Sequence, residues 1–158
     1  AAAFSNFAKM PAQQNETLNV PKIVKLALDI FNENYIEFHT EKEEILAKFD
    51  RTQLIRVVTN LVKNATQALN EELDPKILVE VKEEAELVVI QVSDNGVGIL
   101  EEDKEQVFEP KFTTKSSGMG LGLAMVKNIV ETYQGEISFV SEKNKGTIFI
   151  VKFPKQTT

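Results

Sequence analysis

The sequence predicts an α/β two-layer sandwich, with one mixed but mostly antiparallel sheet and about three helices on one face. Three observations predict it. Apolar residues recur at helical spacing in separate stretches, the longest over residues 50–70. Short alternating runs come in pairs: 35–39 with 45–49, 77–82 with 87–93, and 136–142 with 147–153. The order along the chain is helix, two strands, helix, two strands, loop, helix, two strands, so the strands fall in hairpins with helices between them.

Each element has a local cause. Phe4, Phe7 and Ala8 have helical spacing and Pro11 stops that run. The Gln/Asn stretch that follows reads as a linker, which divides the chain into 1–16 and a main domain over 17–158. The opening Ala1-Ala2-Ala3 suggests a piece of a longer protein. Asn19, Val20 and Pro21 start a helix through an N-cap and an early proline. Ile23, Leu26, Ala27, Ile30 and Phe31 continue it with helical period. Two short strands then flank the charged turn over 41–44. The single histidine, His39, lies in the first of them, where such a residue is more often a surface or packing group. Residues 50–70 form the clearest helix. Asp50 or Thr52 can cap it, and Leu54, Val57, Val58, Leu61, Ala65, Ala68 and Leu69 line one face.

Asn60 and Asn64 are four apart and share a side of that helix. Two poor helix formers beside a core-facing stripe have two explanations of equal standing. They are buried amides bonded to nearby backbone, or a polar pair lining a site, with an amide oxygen offered to a hard cation. Asp74-Pro75 breaks the chain, and a hairpin follows around residues 83–86. A helix is predicted from about Gly120 to Tyr133, stopped at Gln134-Gly135, and a last hairpin turns at 143–146.

The composition is that of a globular domain, 42% apolar and 27% charged over 158 residues. A net charge of −6 without a basic block argues against nucleic acid as partner. With no cysteine, neither a disulfide nor a thiolate metal site can form, and one histidine excludes a multi-histidine site. No apolar run approaches the ~18 residues of a membrane span, and no signal peptide is visible. The expectation is a soluble, cytoplasmic segment without membrane contact, with inner-membrane anchoring of the parent protein left open.

Five of the seven glycines fall between Ser93 and Leu123. Gly96 and Gly98 follow a strand and an acid, Asp94; Gly118, Gly120 and Gly122 lead into a helix. Glycine allows close backbone approach to a ligand, and a glycine-rich helix start offers N–H groups to an anion. Either cluster alone could equally be a turn. GMGLGL lacks the GK[ST] of a P-loop, and it comes too late for a dinucleotide fingerprint.

Taken together, RVVTNLVKNATQAL from Arg56, DNGVGI from Asp94, FEPKFTTK from Phe108, GMGLGLAMV from Gly118 and GTIFIVKFP from Gly146 stand in a telling order. They resemble the catalytic ATP-binding domain of sensor histidine kinases, of the GHKL superfamily that also holds DNA gyrase, the MutL repair proteins and the ninety-kilodalton heat-shock chaperones. The resemblance covers residues ~17–156 and implies the GHKL, or Bergerat, ATP-binding fold. FSNFAKMP, Phe4 to Pro11, resembles the end of the second dimerisation helix of nitrogen-regulation type sensor kinases.

By resemblance, Asn64 holds Mg²⁺ against the triphosphate, with Asn60 one turn before it. Asp94 accepts from the adenine amino group, Gly96 and Gly98 let the loop pass the base, and Ile99 packs on it. Phe108, Phe112 and Lys115 anchor one end of an ATP lid. Gly118, Gly120 and Gly122, with Leu121 and Leu123, place the helix start near the phosphates. Thr147 supports the adenine pocket, and Lys63 or Lys115 reaches a phosphate. The implied activity is transfer of the γ-phosphoryl group of Mg-ATP to a histidine on a separate dimerisation domain, for relay to a response regulator.

Two departures stand out. No phospho-acceptor histidine box is present, and His39 lacks the following acid. The lid is short, with only Ser116 and Ser117 between Lys115 and Gly118. The ATP-hydrolysing relatives carry a glutamate general base where this chain has Asn60, which favours a kinase over an ATPase. The alternatives are a nucleotide-binding module without catalysis and an anti-sigma-factor-type serine kinase.

Overall fold

A computed structural model describes residues 13–110 and 122–155. The strands are β1 (Asn15–Asn19), β2 (Ile36–Thr40), β3 (Leu46–Asp50), β4 (Ile77–Glu84), β5 (Leu87–Asp94), β6 (Glu136–Glu142) and β7 (Gly146–Pro154). The helices are α1 (Val20–Leu28), α2 (Arg51–Gln67) and α3 (Gly122–Thr132), with a 3-10 turn over Glu101–Gln106. Five strands make one mixed sheet in the order β2-β4-β5-β7-β6, in which only the β2–β4 pair is parallel.

The sheet buries one parity of its residues. Ile77, Val79 and Val81 of β4, Ile90 and Val92 of β5, and Phe149, Val151 and Phe153 of β7 all turn into one core. Leu54, Val57, Val58, Leu61 and Ala65 of α2 meet them, as do Val126, Ile129 and Val130 of α3. The apolar stripe predicted for α2 is thus the seam between helix layer and sheet.

β2 and β3 do not form the expected hairpin. β2 runs parallel to β4, with Phe38 opposite Val79, while β3 pairs antiparallel with β1 in a separate two-stranded sheet. A parallel pair needs a crossover connection, and β3 with α2 supplies it between β2 and β4. β1 itself lies partly in the stretch expected to be linker. Its residues 15–17 are exposed and polar, and only Leu18 is buried, so no alternation announces it. Asn19 stands at the α1 N-cap, yet its side chain makes no capping bond. Its carboxamide instead accepts from Ile45 N (3.0 Å) and donates to Glu43 O (3.1 Å), pinning the approach to β3.

Asp50 resolves the capping choice for α2: its Oδ1 accepts from Gln53 N at 3.1 Å, whereas Thr52 is exposed. The end of α3 also differs from expectation. Gln134, not Gly135, takes the left-handed φ of 60°, and Gly135 N–H closes the helix on Val130 O at 2.9 Å.

Candidate functional site

The site is built around the C-terminal half of α2. Asn60 donates through Nδ2 to Arg56 O at 2.8 Å, so its bond is to its own helix. Its Oδ1 faces the start of α3, where a Cβ on Gly122 would sit 3.1 Å away. Asn64, half-buried one turn later, has no side-chain hydrogen bond among the described residues. Lys63 is exposed. From Asn60 to Ala68 the helix provides a wall about 12 Å long, at 1.5 Å per residue.

Ala68 is where the first glycine loop docks. Its carbonyl accepts from Val97 N at 2.8 Å. A Cβ on Gly96 would lie 2.1 Å from that same oxygen, so the loop reaches the helix only as glycine. Gly98 takes φ 79°, a left-handed conformation, and turns the chain beneath the β6–β7 hairpin. Asn144 N donates to Val97 O at 2.8 Å. On the far side, Asn95 donates to Asp74 O (2.7 Å) and accepts from Lys76 N (2.9 Å). The loop over 94–99 is therefore held from three directions.

Asp94 ends β5 and is only 8% exposed. Its Oδ1 accepts from Gly96 N at 2.8 Å. Burial raises its pKa above the ordinary aspartate value, and backbone hydrogen bonds from Gly96 and Thr147 offset part of that rise. Thr147 is its direct partner across the β5–β7 ladder and is also buried. Ser141 completes the cluster: its Oγ lies 2.8 Å from Thr147 Oγ1 and accepts from Ile99 N at 2.8 Å. Ile99 is half-buried and packs against the core. Ser141 and Asn95 are absent from the sequence-based site. For Ser141 a signal existed: it shares parity with Ile137 and Phe139, so a polar group turns inward on β6.

Phe108 precedes the second glycine cluster in sequence. It packs edge-on to Phe139 (5.8 Å) and Phe149 (6.2 Å), with Lys127 over its ring at 5.9 Å. Gly122 and Leu123 open α3, and Leu123 packs against the core. Phe112, Lys115, Gly118, Gly120 and Leu121 lie outside the described residues. His39 is exposed on β2, across from Glu80 in the ladder, and takes no part in these contacts.

One wall thus runs from a buried acid at Asp94, past the two asparagines, to the N-terminus of α3. It offers an acceptor for an amino group at one end and helix N–H groups for an anion at the other. Among the described residues no three His, Cys, Asp or Glu side chains cluster to hold a metal. The Asn64 amide oxygen is a hard donor fit for Mg²⁺, a cation that keeps most of its shell from water and phosphate.

The family described as histidine kinase-, DNA gyrase B-, and HSP90-like ATPase matches residues 49–157. The sensor histidine kinase ZraS of Salmonella typhimurium is 35% identical over 146 residues, covering 88% of this chain and 31% of that protein. The nucleotide-free catalytic domain of the histidine kinase ThkA superposes with a TM-score of 0.81 at 32% identity, covering 91% of this chain and 97% of that one. ThkA in complex with the response regulator protein TrrA gives a TM-score of 0.81 at 28% identity, with 98% and 46% covered. The chain spans 25% to 31% of the length of the curated relatives it matches first.

Proposed function

The chain belongs to the histidine kinase-, DNA gyrase B-, and HSP90-like ATPase family, and from that premise we propose that it is the catalytic domain of a sensor histidine kinase. It binds Mg-ATP and passes the γ-phosphoryl group to a histidine on a dimerisation domain, for relay to a response regulator. In this reading the ATP-binding domain begins with β1 at Asn15, two residues before the boundary expected from sequence, and the residues before it are the end of a dimerisation helix with its linker. The observation that carries the proposal is the buried, hydrogen-bonded Asp94 at one end of a wall that ends at the α3 N-terminus. The sensor-kinase relatives support it.

Each residue then has a task. Ionised Asp94 is an acceptor only, so it takes the adenine N6 hydrogen and disfavours guanine, which presents a carbonyl there. Gly96 and Gly98 hold the loop against the base, with Ile99 packed on it. Asn64 contributes an oxygen to Mg²⁺, which neutralises phosphate charge when bound. Gly118, Gly120, Leu121, Gly122 and Leu123 present the helix start to the phosphates, Phe112 and Lys115 continue the lid, and Lys63 or Lys115 meets a phosphate. Asn60 cannot take a proton from water at neutral pH, so the site positions ATP rather than activating hydrolysis. An imidazole nitrogen from outside forms the new N–P bond as the bond from phosphorus to the bridging oxygen breaks and ADP leaves.

The test is transfer in trans. With [γ-³²P]ATP, the isolated chain should label nothing, and a dimerisation domain of the parent protein should take label on its histidine, labile to acid and stable to alkali. His39→Ala should leave the transfer intact. Acid-stable label on serine, or label on the isolated chain that His39→Ala removes, would overturn the assignment.

A further inference from the structure

Tyr133 closes α3 at the end opposite Gly122. Its N–H still reaches back to Ile129 O (3.3 Å) and Val130 O (3.1 Å), so it belongs to the last helical turn. The side chain is 2% exposed, and its ring stacks on Phe49. Packing alone would be met by a phenylalanine. The hydroxyl does more: it accepts from Asp50 N at 3.0 Å and donates to Asn15 Oδ1. Burial raises the Tyr133 pKa, the Asp50 N–H lowers it, and the Asp50 charge raises it, for a net rise. The oxygen therefore keeps its proton at neutral pH.

One oxygen thus joins three parts of the fold. Asp50 caps α2 and also accepts from Gln14 N at 2.8 Å. Asn15 is the first residue of β1. α3 is the helix whose other end, Gly122, faces Asn60 Oδ1. Its 11 residues make a rod about 16 Å long, at 1.5 Å per residue. Val126, Ile129 and Val130 are fully buried along it, so a displacement at Tyr133 arrives at Gly122 as a shift of the whole rod.

The same junction contains an opposing cost. α2 and α3 run antiparallel, with Gly122 by Asn60 and Tyr133 by Asp50. Gln53 lies seven residues before Asn60 on one stripe of α2, beneath the last turns of α3. It is 5% exposed, and its Oε1 has no hydrogen bond. A buried acceptor without a partner is unfavourable. Loosening the junction admits water to it and offsets part of what the broken Tyr133 bonds cost. The tied and loosened arrangements are brought closer in energy, and a ligand that favours one shifts the balance.

We infer that Tyr133 is a positioning residue for the phosphate end of the site: its hydroxyl fixes α3 against Asp50 and Asn15, so that the segment entering β1 and a bound nucleotide bias one another through α3. This rests on the proposed binding of ATP at the α3 N-terminus. Tyr133 acts through the helix and touches no part of the nucleotide.

The experiment follows amide hydrogen exchange at Gln14 by NMR, with and without AMP-PNP and Mg²⁺, beside calorimetric affinities for ATP. Wild-type protein, Tyr133→Phe, Asn15→Ala and the double variant are compared, with the exposed Thr52→Ala as control. In wild type, AMP-PNP should slow exchange at Gln14 roughly fivefold, the low end of coupling between sites. Coupling is reciprocal, so Tyr133→Phe and Asn15→Ala should each weaken ATP roughly fivefold and abolish the AMP-PNP effect at Gln14. The double variant should be no weaker than either single one, because both remove the same link. Thr52→Ala should behave as wild type. Asn15 is exposed, so its variant decides the matter if Tyr133→Phe folds poorly. ATP affinity unchanged in both variants, or protection of Gln14 by AMP-PNP that persists in them, would make Tyr133 a packing residue only and overturn the inference alone. A wild type that binds no ATP would overturn the proposed function, and this inference with it.

Discussion

Asp94 keeps a charge in a place that resists it. Burial raises its carboxyl above the ordinary aspartate range, against the pull of the Gly96 and Thr147 N–H groups. A raised acid contributes stability that is full below the unfolded value, about 3.9, and is lost as pH rises through the folded value. At neutral pH the ionised group therefore costs stability. Asp94→Asn should leave the melting temperature unchanged or raised at pH 7, while weakening ATP at least tenfold, about 1.4 kcal/mol. Scanning calorimetry with titration calorimetry checks both halves; a lower melting temperature with intact ATP affinity would remove the residue from base recognition. ATP affinity should also fall as pH drops toward the raised pKa, and that slope should vanish in the Asn variant. Asn64 and Asn60 separate in the same way. Asn64 has no side-chain hydrogen bond among the described residues, whereas Asn60 is bonded to Arg56 O. Asn64→Ala should abolish most of the gain in ATP affinity that Mg²⁺ gives over EDTA, while Asn60→Ala retains it. Equal stability loss with full metal response in both variants would mark the pair as packing amides.

At the scale of elements, α2 carries most of the design, and its N-cap is also a junction. Asp50 Oδ1 caps the helix through Gln53 N, its Oδ2 accepts from Gln14 N at 2.8 Å, and its own N–H donates to Tyr133 OH at 3.0 Å. The Tyr133 hydroxyl in turn donates to Asn15 Oδ1, and its ring stacks on Phe49 with centroids 3.7 Å apart. Asp50→Ala should cost about 1–2 kcal/mol in urea unfolding, the upper part of the range for a lost cap. The exposed Thr52→Ala should cost under about 0.5 kcal/mol; comparable losses for the two would deny Asp50 its junction role. How much could be seen beforehand follows from such contacts. The α2 stripe and the β4–β5 hairpin were legible because period and turn chemistry are local. The β2–β4 and β1–β3 pairings were not, because partner choice depends on a crossover that no short window contains. In the site, Asp94, Gly96 and Gly98 stood out as a cluster in one loop. Ser141 did not, since its meaning comes from Ile99 and Thr147, which are distant from it or hidden in another motif.

For the molecule as a whole, β3 is where the two sheets meet. Lys48 N donates to Lys155 O at 2.9 Å, and Lys155 N donates to Glu86 O at 3.0 Å, so the residue after β7 ties the small sheet to the β4–β5 turn. The Lys155 ammonium also pairs with Glu83, which Lys42 meets as well. No helix among the described residues is long and apolar enough to cross a membrane. The junction at β3 has a geometric consequence. β1 lies along one side of β3 and Lys155 along the other; Asn15 faces Asp50 while Lys155 meets Lys48, so Asn15 and Lys155 stand two strand spacings across and two residues along, on the order of 12 Å apart. A flexible linker of about six residues spans that gap. Joining 155 to 13 in this way and opening the chain between Ala85 and Glu86 should give a circular permutant that unfolds cooperatively and binds ATP within about twofold of the original. A permutant that fails to fold would show that the covalent β4–β5 turn is needed for the sheet to form. If it folds, a host polypeptide interrupted by this unit would resume almost where it left off, and its own path would be scarcely lengthened by the insertion.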